Sequence, residues 1–200
     1  MSPILLATRS AGKLRELRPL FAQRGLVVVD LNEAAIEETP AEDALEVYET
    51  FEDNALAKGR YFAALSGLSV VADDSGIEVR ALGGRPGVRS KRWSERPDLS
   101  GQALDDENNR LLIAALQGSP DRAARYVCAA AFVDGAREVV RRGEVEGTIL
   151  TEARGTNGFG YDPYFRSDEL KKTFGEASLV EKATVSHRAR AFNILLGAIA

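Results

Sequence analysis

The sequence is poor in the residues that form disulfides and metal clusters, with one cysteine and one histidine among its 200 residues. The single cysteine, Cys128, excludes an intramolecular disulfide and a cysteine-based zinc cluster, and it is typical of a reducing compartment. We expect Cys128 to be a small core residue rather than a nucleophile. No charged-then-apolar leader opens the chain, and no apolar run approaches the length of a membrane span. These features predict a cytoplasmic protein with no membrane partner.

Positive charge is not in excess either, since the formal net charge is −4 at pH 7. This balance is not typical of a protein that coats nucleic acid, so we expect no nucleic-acid partner. A small anionic ligand is still compatible with it where cations cluster locally. The apolar share of 44% lies within the ordinary globular range. The sequence contains no internal repeats or low-complexity segments, and 200 residues is somewhat long for one domain and short for two.

The most informative stretch is Ser69–Gly76, which reads SVVADDSG. Val70–Ala72 is a short apolar run that predicts a buried strand, closed by Asp73 and Asp74. Adjacent residues on a strand point to opposite faces, so the two carboxylates are expected to have different roles. Open α/β sheets bind ligands at the end of such a strand, where a carboxylate can hold a divalent cation or take a proton from water. The alternative is a plain exit from the strand, because Asp, Ser and Gly are common turn residues.

An anion site is predicted near the start of the chain. Pro3–Ala7 indicates a first strand, and Thr8–Lys13 then leads into a helix with apolar residues at helical spacing. Backbone N–H groups and the helix dipole favour phosphate at such a turn. The turn is not a Walker A loop, which would need glycine in place of Ala7 and serine or threonine in place of Leu14. The alternative is an ordinary strand-to-helix turn.

The next segment is acidic and then helical. Leu26–Val29 predicts a second strand, and Leu31–Tyr48 is an irregular acidic run in which one carboxylate can serve a metal. Thr50 begins a capping box that opens a further helix. Asn54 and Lys58 lie four residues apart and share one face of it, which by spacing alone is favoured as a solvated face.

The middle of the chain predicts a mixed sheet. A strand over Ile77–Leu82 is followed by a rigid loop, and a helix over Asp105–Leu116 precedes two strands, Arg125–Val133 and Glu138–Val145. Asp134-Gly135 between these strands is a hairpin signal. The loop carries a local basic patch suited to phosphates, with a solvated basic loop as the alternative; its members are Arg85, Arg89, Lys91 and Arg92.

The loop Arg154–Asp162 contains three glycines around Phe159 and Tyr161. A segment with so many glycines has few side chains to pack in a core, but its backbone can approach a ligand closely. An exposed aromatic ring between glycines can stack on a nucleic base, whereas the alternative is a mobile surface loop.

A dense set of donors precedes the last helix. Lys182, His187 and Arg188 lie close together in the sequence, and Ser186 is a good N-cap for a helix that follows it. A lone histidine is more often a packed or capping residue than a catalyst, so His187 does not by itself indicate an active site.

Four motifs in this order resemble the inosine/xanthosine triphosphate pyrophosphatase family: FEDNALAKGR, ADDSG followed by ALGGRPGVRS, GFGYDP, and EKATVSHRARA. The match runs from the first strand to the last helix, which implies a single domain over residues 1–200. The resemblance implies an α/β fold with a long mixed, twisted sheet flanked by helices, in two lobes with a central nucleotide cleft. It also implies a homodimer and the Mg²⁺-dependent hydrolysis of aberrant purine nucleoside triphosphates (ITP, dITP and XTP).

The resemblance implies roles for individual residues. Asp74 matches the proton acceptor and Mg²⁺ ligand, and Glu37 best matches a second acidic metal residue. The residues that match substrate contacts are Thr8, Arg9, Ser10, Ala11, Gly12, Lys13, Ser75, Phe159, Gly160, Tyr161, Asp162, Lys182, His187 and Arg188. Lys58 is expected to join Lys13 in neutralising the triphosphate.

Two departures from the family pattern bear on these roles. The family usually has asparagine where this chain has Ser10, and serine reaches less far. Pro40–Glu49 looks like an insertion, which leaves Glu38 and Glu49 as rivals of Glu37 for the metal.

The implied reaction is water attack that yields a monophosphate and pyrophosphate, with Asp74 orienting or deprotonating the water. Donors such as Arg188 and His187 are expected to bind the oxygen at purine position 6, where adenine has an amino group instead. A nucleotide-binding regulator without catalysis, or an enzyme for a modified pyrimidine or another phosphate ester, is the alternative.

Overall fold

A computed structural model describes residues 2–135 and 137–199, and within them the chain forms six strands and five α-helices. In chain order these are β1 (Ile4–Leu6), α1 (Ala11–Ala22), β2 (Val28–Asp30), α2 (Phe51–Ser66), β3 (Val70–Val79), α3 (Gly101–Ala115), β4 (Ala123–Asp134), β5 (Arg137–Ile149), β6 (Phe165–Ser167), α4 (Leu179–Val185) and α5 (His187–Ile199). Short 3-10 helices lie at Pro40–Ala44, Arg80–Leu82 and Gly87–Arg92.

The strands form one six-stranded sheet in the order β2-β1-β3-β4-β5-β6. β1 runs parallel to both β2 and β3, whereas β5 and β6 are antiparallel. The mixed sheet expected from the sequence is therefore confirmed, and β4 and β5 are neighbours on either side of the predicted hairpin turn.

The chain divides into two compact units. Unit 1 consists of Met1–Asp74, Cys128–Gly143 and Arg188–Ala200, and unit 2 consists of Ser75–Val127 and Glu144–His187. Strands β3, β4 and β5 each contribute residues to both units. A single domain and a nucleotide cleft between two lobes stay predictions from the sequence.

Unit 1 has a hydrophobic cluster on each face of its strands, because neighbouring strand residues point in opposite directions. Leu6 and Val71 belong to the cluster that also contains residues of α1 and α5. Leu5 and Val70 belong to the cluster that contains Phe62 of α2. Cys128 is fully buried in the first cluster, as expected of a core residue.

Unit 2 is centred on aromatic rings. Tyr126 on β4 lies 4.7 Å from the ring centroid of Phe165 and 5.9 Å from that of Phe174. Ile77 and Val79 from the second half of β3 are fully buried in the same cluster. No helix within the described ranges has the length and hydropathy needed to cross a membrane.

Several predicted boundaries are wrong, among them the ends of the strands predicted over Ile77–Leu82 and Glu138–Val145, which the structure ends at Val79 and Ile149. β3 does not end at the paired carboxylates but continues to Val79, because Ile77 and Val79 are buried in the unit 2 core and outweigh the turn preferences of Ser75 and Gly76. β2 begins at Val28 rather than at Leu26, since its register with β1 starts there. Helix α3 begins four residues before Asp105, at Gly101.

Candidate functional site

Asp73 and Asp74 lie just beyond the parallel pairing of β1 with β3. That pairing includes Leu6 opposite Val71, and the N–H of Ala7 donates to the carbonyl oxygen of Val71 at 2.8 Å. β1 then turns away into α1, so the carboxylates occupy the carboxyl end of the parallel part of the sheet. Open α/β sheets place their ligand sites at this end.

The carboxylate of Asp73 is the centre of a buried ion-pair network in unit 1. Its Oδ2 atom lies 3.0 Å from Nζ of Lys13 and accepts a hydrogen bond from Nε of Arg188 at 3.2 Å. Arg188 in turn forms an ion pair with Glu16 of α1. The thiol of Cys128 lies 3.8 Å from the same Oδ2 atom.

This network fixes the charge of Asp73. Burial alone would raise the pKa of Asp73, but the charges of Lys13, Arg188 and Lys58 outweigh burial and hold the pKa well below its usual range. The carboxylate is therefore ionised at neutral pH, and it balances two buried cations. Asp73 Oδ1 is buried without a hydrogen-bond partner among the described residues.

Asp74 points to the other face of β3 and meets helix α2. Its Oδ2 atom accepts a hydrogen bond from Nδ2 of Asn54 at 2.8 Å, and Asn54 is itself held by the backbone of Tyr48. Burial, together with the negative charge of Glu46, raises the pKa of Asp74 to about 6, although Lys13, Lys58 and Asn54 oppose the shift. A carboxylate with this pKa can accept a proton near neutral pH.

Lys58, one turn after Asn54 on α2, forms an ion pair with Glu46. Burial would lower the pKa of Lys58, but Glu46, Asp73 and Asp74 together raise it, so the ammonium group stays charged. The solvated face favoured for Asn54 and Lys58 is therefore wrong. Both side chains are buried, because the carboxylates of the sheet and of the preceding loop supply their polar partners.

The predicted phosphate turn is the N-terminus of α1. Ser10 is its N-cap, and its Oγ atom accepts a hydrogen bond from the N–H of Lys13 at 3.3 Å. Thr8 Oγ1 accepts from the N–H of Ser10 at 3.2 Å. Arg9 points away from these groups to Glu42, whose Oε1 atom lies 2.7 Å from Nη2 of Arg9. Ala11 and Gly12 form the first turn of the helix.

Glu37 lies on the surface of unit 1, where it lines a pocket of about 490 Å³ with Thr8, Arg9 and Glu38. The described residues contain no group of three or more histidine, cysteine, aspartate or glutamate side chains arranged to hold a metal ion. The acidic residue that acts on Asp74 is Glu46, which lies in the acidic run Leu31–Tyr48 but was not singled out from it for the metal. Glu46 lies in the segment interpreted as an insertion, and no periodic spacing links it to Asn54 or Lys58.

The loop Gly158–Asp162, which we call the base-side loop, lies in unit 2 and is organised by Asp162. Oδ2 of Asp162 accepts a hydrogen bond from the N–H of Phe159 at 2.9 Å and lies 2.5 Å from Nζ of Lys182. The same ammonium group lies 5.1 Å from the centroid of the Phe159 ring. The half-buried Phe159 ring is thus held beside a buried Lys–Asp pair.

Two glycines allow this loop to turn tightly. Gly158 has φ of 77°, and a Cβ atom added there would collide with the carboxylate of Asp162. Gly160 has φ of 62°, a backbone conformation that side chains of L-residues rarely adopt. The glycine-rich segment therefore serves close approach of its own backbone to Asp162.

The other predicted residues of unit 2 have structural partners. Tyr161 is buried, and its hydroxyl donates to the carbonyl oxygen of Ser90 at 2.8 Å, so it is not the exposed ring of the loop. His187 is buried and stacks on Tyr126 with 4.6 Å between ring centroids. Ser75 is half-buried on β3.

The structure thus brings together two sets of the predicted residues, one within each unit. Unit 1 gathers Lys13, Lys58, Asp74 and Arg188, and unit 2 gathers Phe159, Asp162 and Lys182. Arg188, expected to bind the base, contacts Asp73 and Glu16 here, and its role toward the base stays a prediction.

Comparisons with known proteins identify the family of the chain. The sequence profile of the Ham1 family matches residues 4–198. The chain is 47% identical to the dITP/XTP pyrophosphatase of Mycolicibacterium paratuberculosis, over all of this chain and 96% of that protein.

The fold is also similar to that of solved structures. A HAM1 protein from Coxiella burnetii has a TM-score of 0.84 at 31% identity, covering 100% of this chain and 98% of its own. The nucleoside-triphosphatase / dITP/XTP pyrophosphatase of Mycobacterium abscessus has a TM-score of 0.72 at 41% identity, covering 98% of this chain and 99% of its own. Because the family profile matches residues 4–198 and the relatives share the fold over nearly the whole length of the chain, the chain belongs to the Ham1 family.

Proposed function

We propose that this protein hydrolyses aberrant purine nucleoside triphosphates, namely ITP, dITP and XTP, to the monophosphate and pyrophosphate. The names of its relatives give the reaction class. The observation that carries the proposal is the buried carboxylate of Asp74, whose pKa is raised to about 6 beside the cations Lys13 and Lys58. A base poised near neutral pH next to fixed positive charge suits water attack on a polyphosphate.

In this mechanism Asp74 takes the proton of the attacking water. Asn54 donates to Oδ2 of Asp74, which orients the carboxylate. Lys13 and Lys58 neutralise charge that grows on the phosphates as the bond to pyrophosphate breaks. Within Thr8–Lys13, the N–H groups of Ala11 and Gly12 in the first turn of α1 bind phosphate oxygens, whereas those of Ser10 and Lys13 already donate to the side chains of Thr8 and Ser10.

A divalent cation fits beside Asp74. The charge of Glu46 acts on Asp74 and raises its pKa, and a cation held by both carboxylates would relieve that repulsion. Two carboxylates completed by waters and substrate phosphates are the usual site for Mg²⁺. When bound, Mg²⁺ would supply Lewis-acid activation of the attacked phosphorus. We therefore assign the metal to Asp74 and Glu46, with Glu37 as the rival predicted from the sequence.

Base selection is assigned to unit 2. Lys182 supplies a buried ammonium donor beside Phe159, and this pair suits a purine that has an oxygen at position 6. Adenine has an amino donor at position 6 instead. Placing this donor against an ammonium group leaves both donors without an acceptor, which costs about 1–3 kcal/mol of binding free energy. Phe159 stacking adds affinity without choosing the base.

The test is the release of pyrophosphate or orthophosphate from ITP, XTP, ATP and GTP, each with and without Mg²⁺. We expect metal-dependent pyrophosphate from ITP and XTP and little from ATP. Orthophosphate would move the attack to the terminal phosphorus and contradict the mechanism. Binding without any product would favour the alternative, a catalytically silent nucleotide-binding regulator.

A matched pair of variants separates the two metal assignments. Glu46→Gln should raise the Mg²⁺ concentration needed for half-maximal activity by about tenfold or more, since loss of even an outer-shell partner of a metal ligand typically costs that much. Glu37→Gln, an identical change in the same unit, should leave that concentration unchanged. The reverse result would assign the metal to Glu37. A homodimer and a cytoplasmic location belong to the proposal as predictions from the sequence.

A further inference from the structure

Helix α3 holds the base-side loop at a single glycine. Oδ2 of Asp105 accepts a hydrogen bond from the N–H of Gly160 at 2.7 Å. Asn109, one turn later, donates from Nδ2 to the carbonyl oxygen of Gly160 at 2.9 Å. Because residues four apart share a helix face, one face of α3 binds both backbone polar groups of Gly160.

The two side chains are themselves fixed. Nδ2 of Asn109 also donates to the carbonyl oxygen of Asp105 at 2.8 Å, so both of its donors meet backbone carbonyls. Oδ1 of Asn109 is buried and has no donor among the residues that the structure describes, so the amide is oriented by its donors alone. Burial raises the pKa of Asp105, and the negative charge of Asp162 raises it further, whereas the hydrogen bond from the N–H of Gly160 lowers it. The helix thus keeps a partly desolvated carboxylate at this position.

Gly160 is the link between the two aromatic residues of the loop. It joins the half-buried Phe159 to Tyr161, which is anchored on Ser90. Its positive φ sets the direction in which the chain leaves Phe159. Fixing both polar groups of Gly160 therefore limits the orientations open to the Phe159 peptide and its ring.

The neighbouring residue on α3 holds a second loop in the same way. Oδ1 of Asn108 accepts from the N–H of Ser94 at 2.8 Å, and its Nδ2 atom donates to the carbonyl oxygen of Lys91 at 3.1 Å. Asn108 and Asn109 are both buried. Helix α3 is thus a scaffold that fixes loop backbones rather than only a layer of core packing.

We propose that Asp105 and Asn109 are positioning residues, which fix Gly160 and through it the Phe159 ring for the nucleotide base. They act on the substrate only through the base-side loop. The inference rests on the proposed function, in which Phe159 stacks on the base.

The test compares kinetics of ITP hydrolysis for Asp105→Ala, Asp105→Asn, Asn109→Ala and a control, Asp106→Ala. Asp106 is the next carboxylate on the same helix, but it is exposed and accepts from Gln102. Asp105→Ala and Asn109→Ala should each raise KM about tenfold, as expected for loss of a bond to a charged or buried group, with kcat within about twofold. Asp105→Asn keeps an acceptor for Gly160 and should restore most of the affinity, and Asp106→Ala should match the parent protein.

A second readout does not depend on activity. Amide hydrogen exchange at Gly160 should be at least tenfold faster in Asp105→Ala than in Asp106→Ala, at unchanged exchange of the β4 amides. Faster exchange with unchanged KM, or unchanged exchange, would overturn the proposal. An equal fall in kcat and kcat/KM would also overturn it, because it would place Asp105 in the chemical step. Absence of turnover by the parent protein would overturn the proposed function instead, and exchange would still decide whether the Gly160 contacts order the loop.

Discussion

Asp73 and Asp74 are adjacent on β3, yet their carboxylates have opposite electrostatic environments. Asp73 lies 3.0 Å from the ammonium group of Lys13 and is also bound by Arg188, and its pKa is held well below the usual range. Asp74 accepts from the neutral amide of Asn54, and its pKa is raised to about 6. The two environments differ because adjacent side chains on a strand point to opposite faces, so Asp73 and Asp74 meet different helices.

Replacing Asp73 by asparagine should destabilise the protein by about 3–5 kcal/mol at pH 7, because the buried charges of Lys13 and Arg188 lose their counter-ion. The sign of the pH dependence follows from the depressed pKa. The stabilisation is present above the unfolded-state pKa of about 3.9 and is lost as the pH falls toward the folded-state value. Urea unfolding at several pH values measures the difference, which should shrink below about pH 4.

Asp43→Asn, at an exposed carboxylate of the same unit, is the control and should change stability by less than about 0.5 kcal/mol. An Asp73→Asn protein as stable as its parent would mean that Lys13 and Arg188 are solvated in solution.

Replacing Asp74 by asparagine should have the opposite effect on stability. The pKa of Asp74 is raised in the folded state, so ionisation costs stability as the pH rises from about 4 to 6. Without divalent metal, Asp74→Asn should therefore be more stable than the parent protein at pH 8, by about 1–3 kcal/mol. The side-chain oxygen of asparagine can still accept from Asn54.

The same urea experiment in chelator, at pH 8 and near pH 4, measures this gain, which should vanish at the lower pH. A loss of stability at pH 8 would show that the carboxylate is favourably paired rather than strained.

Removing the ammonium group of Lys182 should weaken discrimination between bases. Lys182→Met is expected to lower kcat/KM for ITP about 10–100-fold and to affect ATP far less, since ATP has no oxygen at position 6 for this donor. Steady-state kinetics with both nucleotides give the ratio directly.

Lys182→Met also leaves Asp162 without its cation, so the double variant Lys182→Met with Asp162→Asn serves as its control. The double variant should regain stability without regaining selectivity. An unchanged ITP to ATP ratio in both would move base selection to other donors, such as Arg188.

The sequence predicted most of the strands and helices because these depend on local patterns, and the roles of the site residues stay predictions. The strand that precedes Asp73, the cap of α2 at Thr50 and the core position of Cys128 each follow from a few neighbouring residues. The family resemblance added the order of the motifs, which local patterns do not contain.

The parts that were missed depend on tertiary partners. The spacing of Asn54 and Lys58 places them on one helix face, but burial of this face depends on the sheet, whose carboxylates pack against it. Glu46 lies in an irregular acidic run, and no periodic pattern in the sequence indicates that it forms an ion pair with Lys58. The hydrogen bonds of Asp105 and Asn109 to Gly160 join residues more than fifty positions apart, and no pattern in the sequence predicted them.

The most direct test of the account is the rate of pyrophosphate release from ITP by Asp74→Asn, with saturating Mg²⁺ and with folding checked by urea unfolding. As the proposed proton acceptor and metal ligand, Asp74 should account for a loss of at least about 10³-fold in kcat while the protein stays folded. A folded Asp74→Asn protein with near-normal turnover would contradict the assignment of the catalytic base to β3.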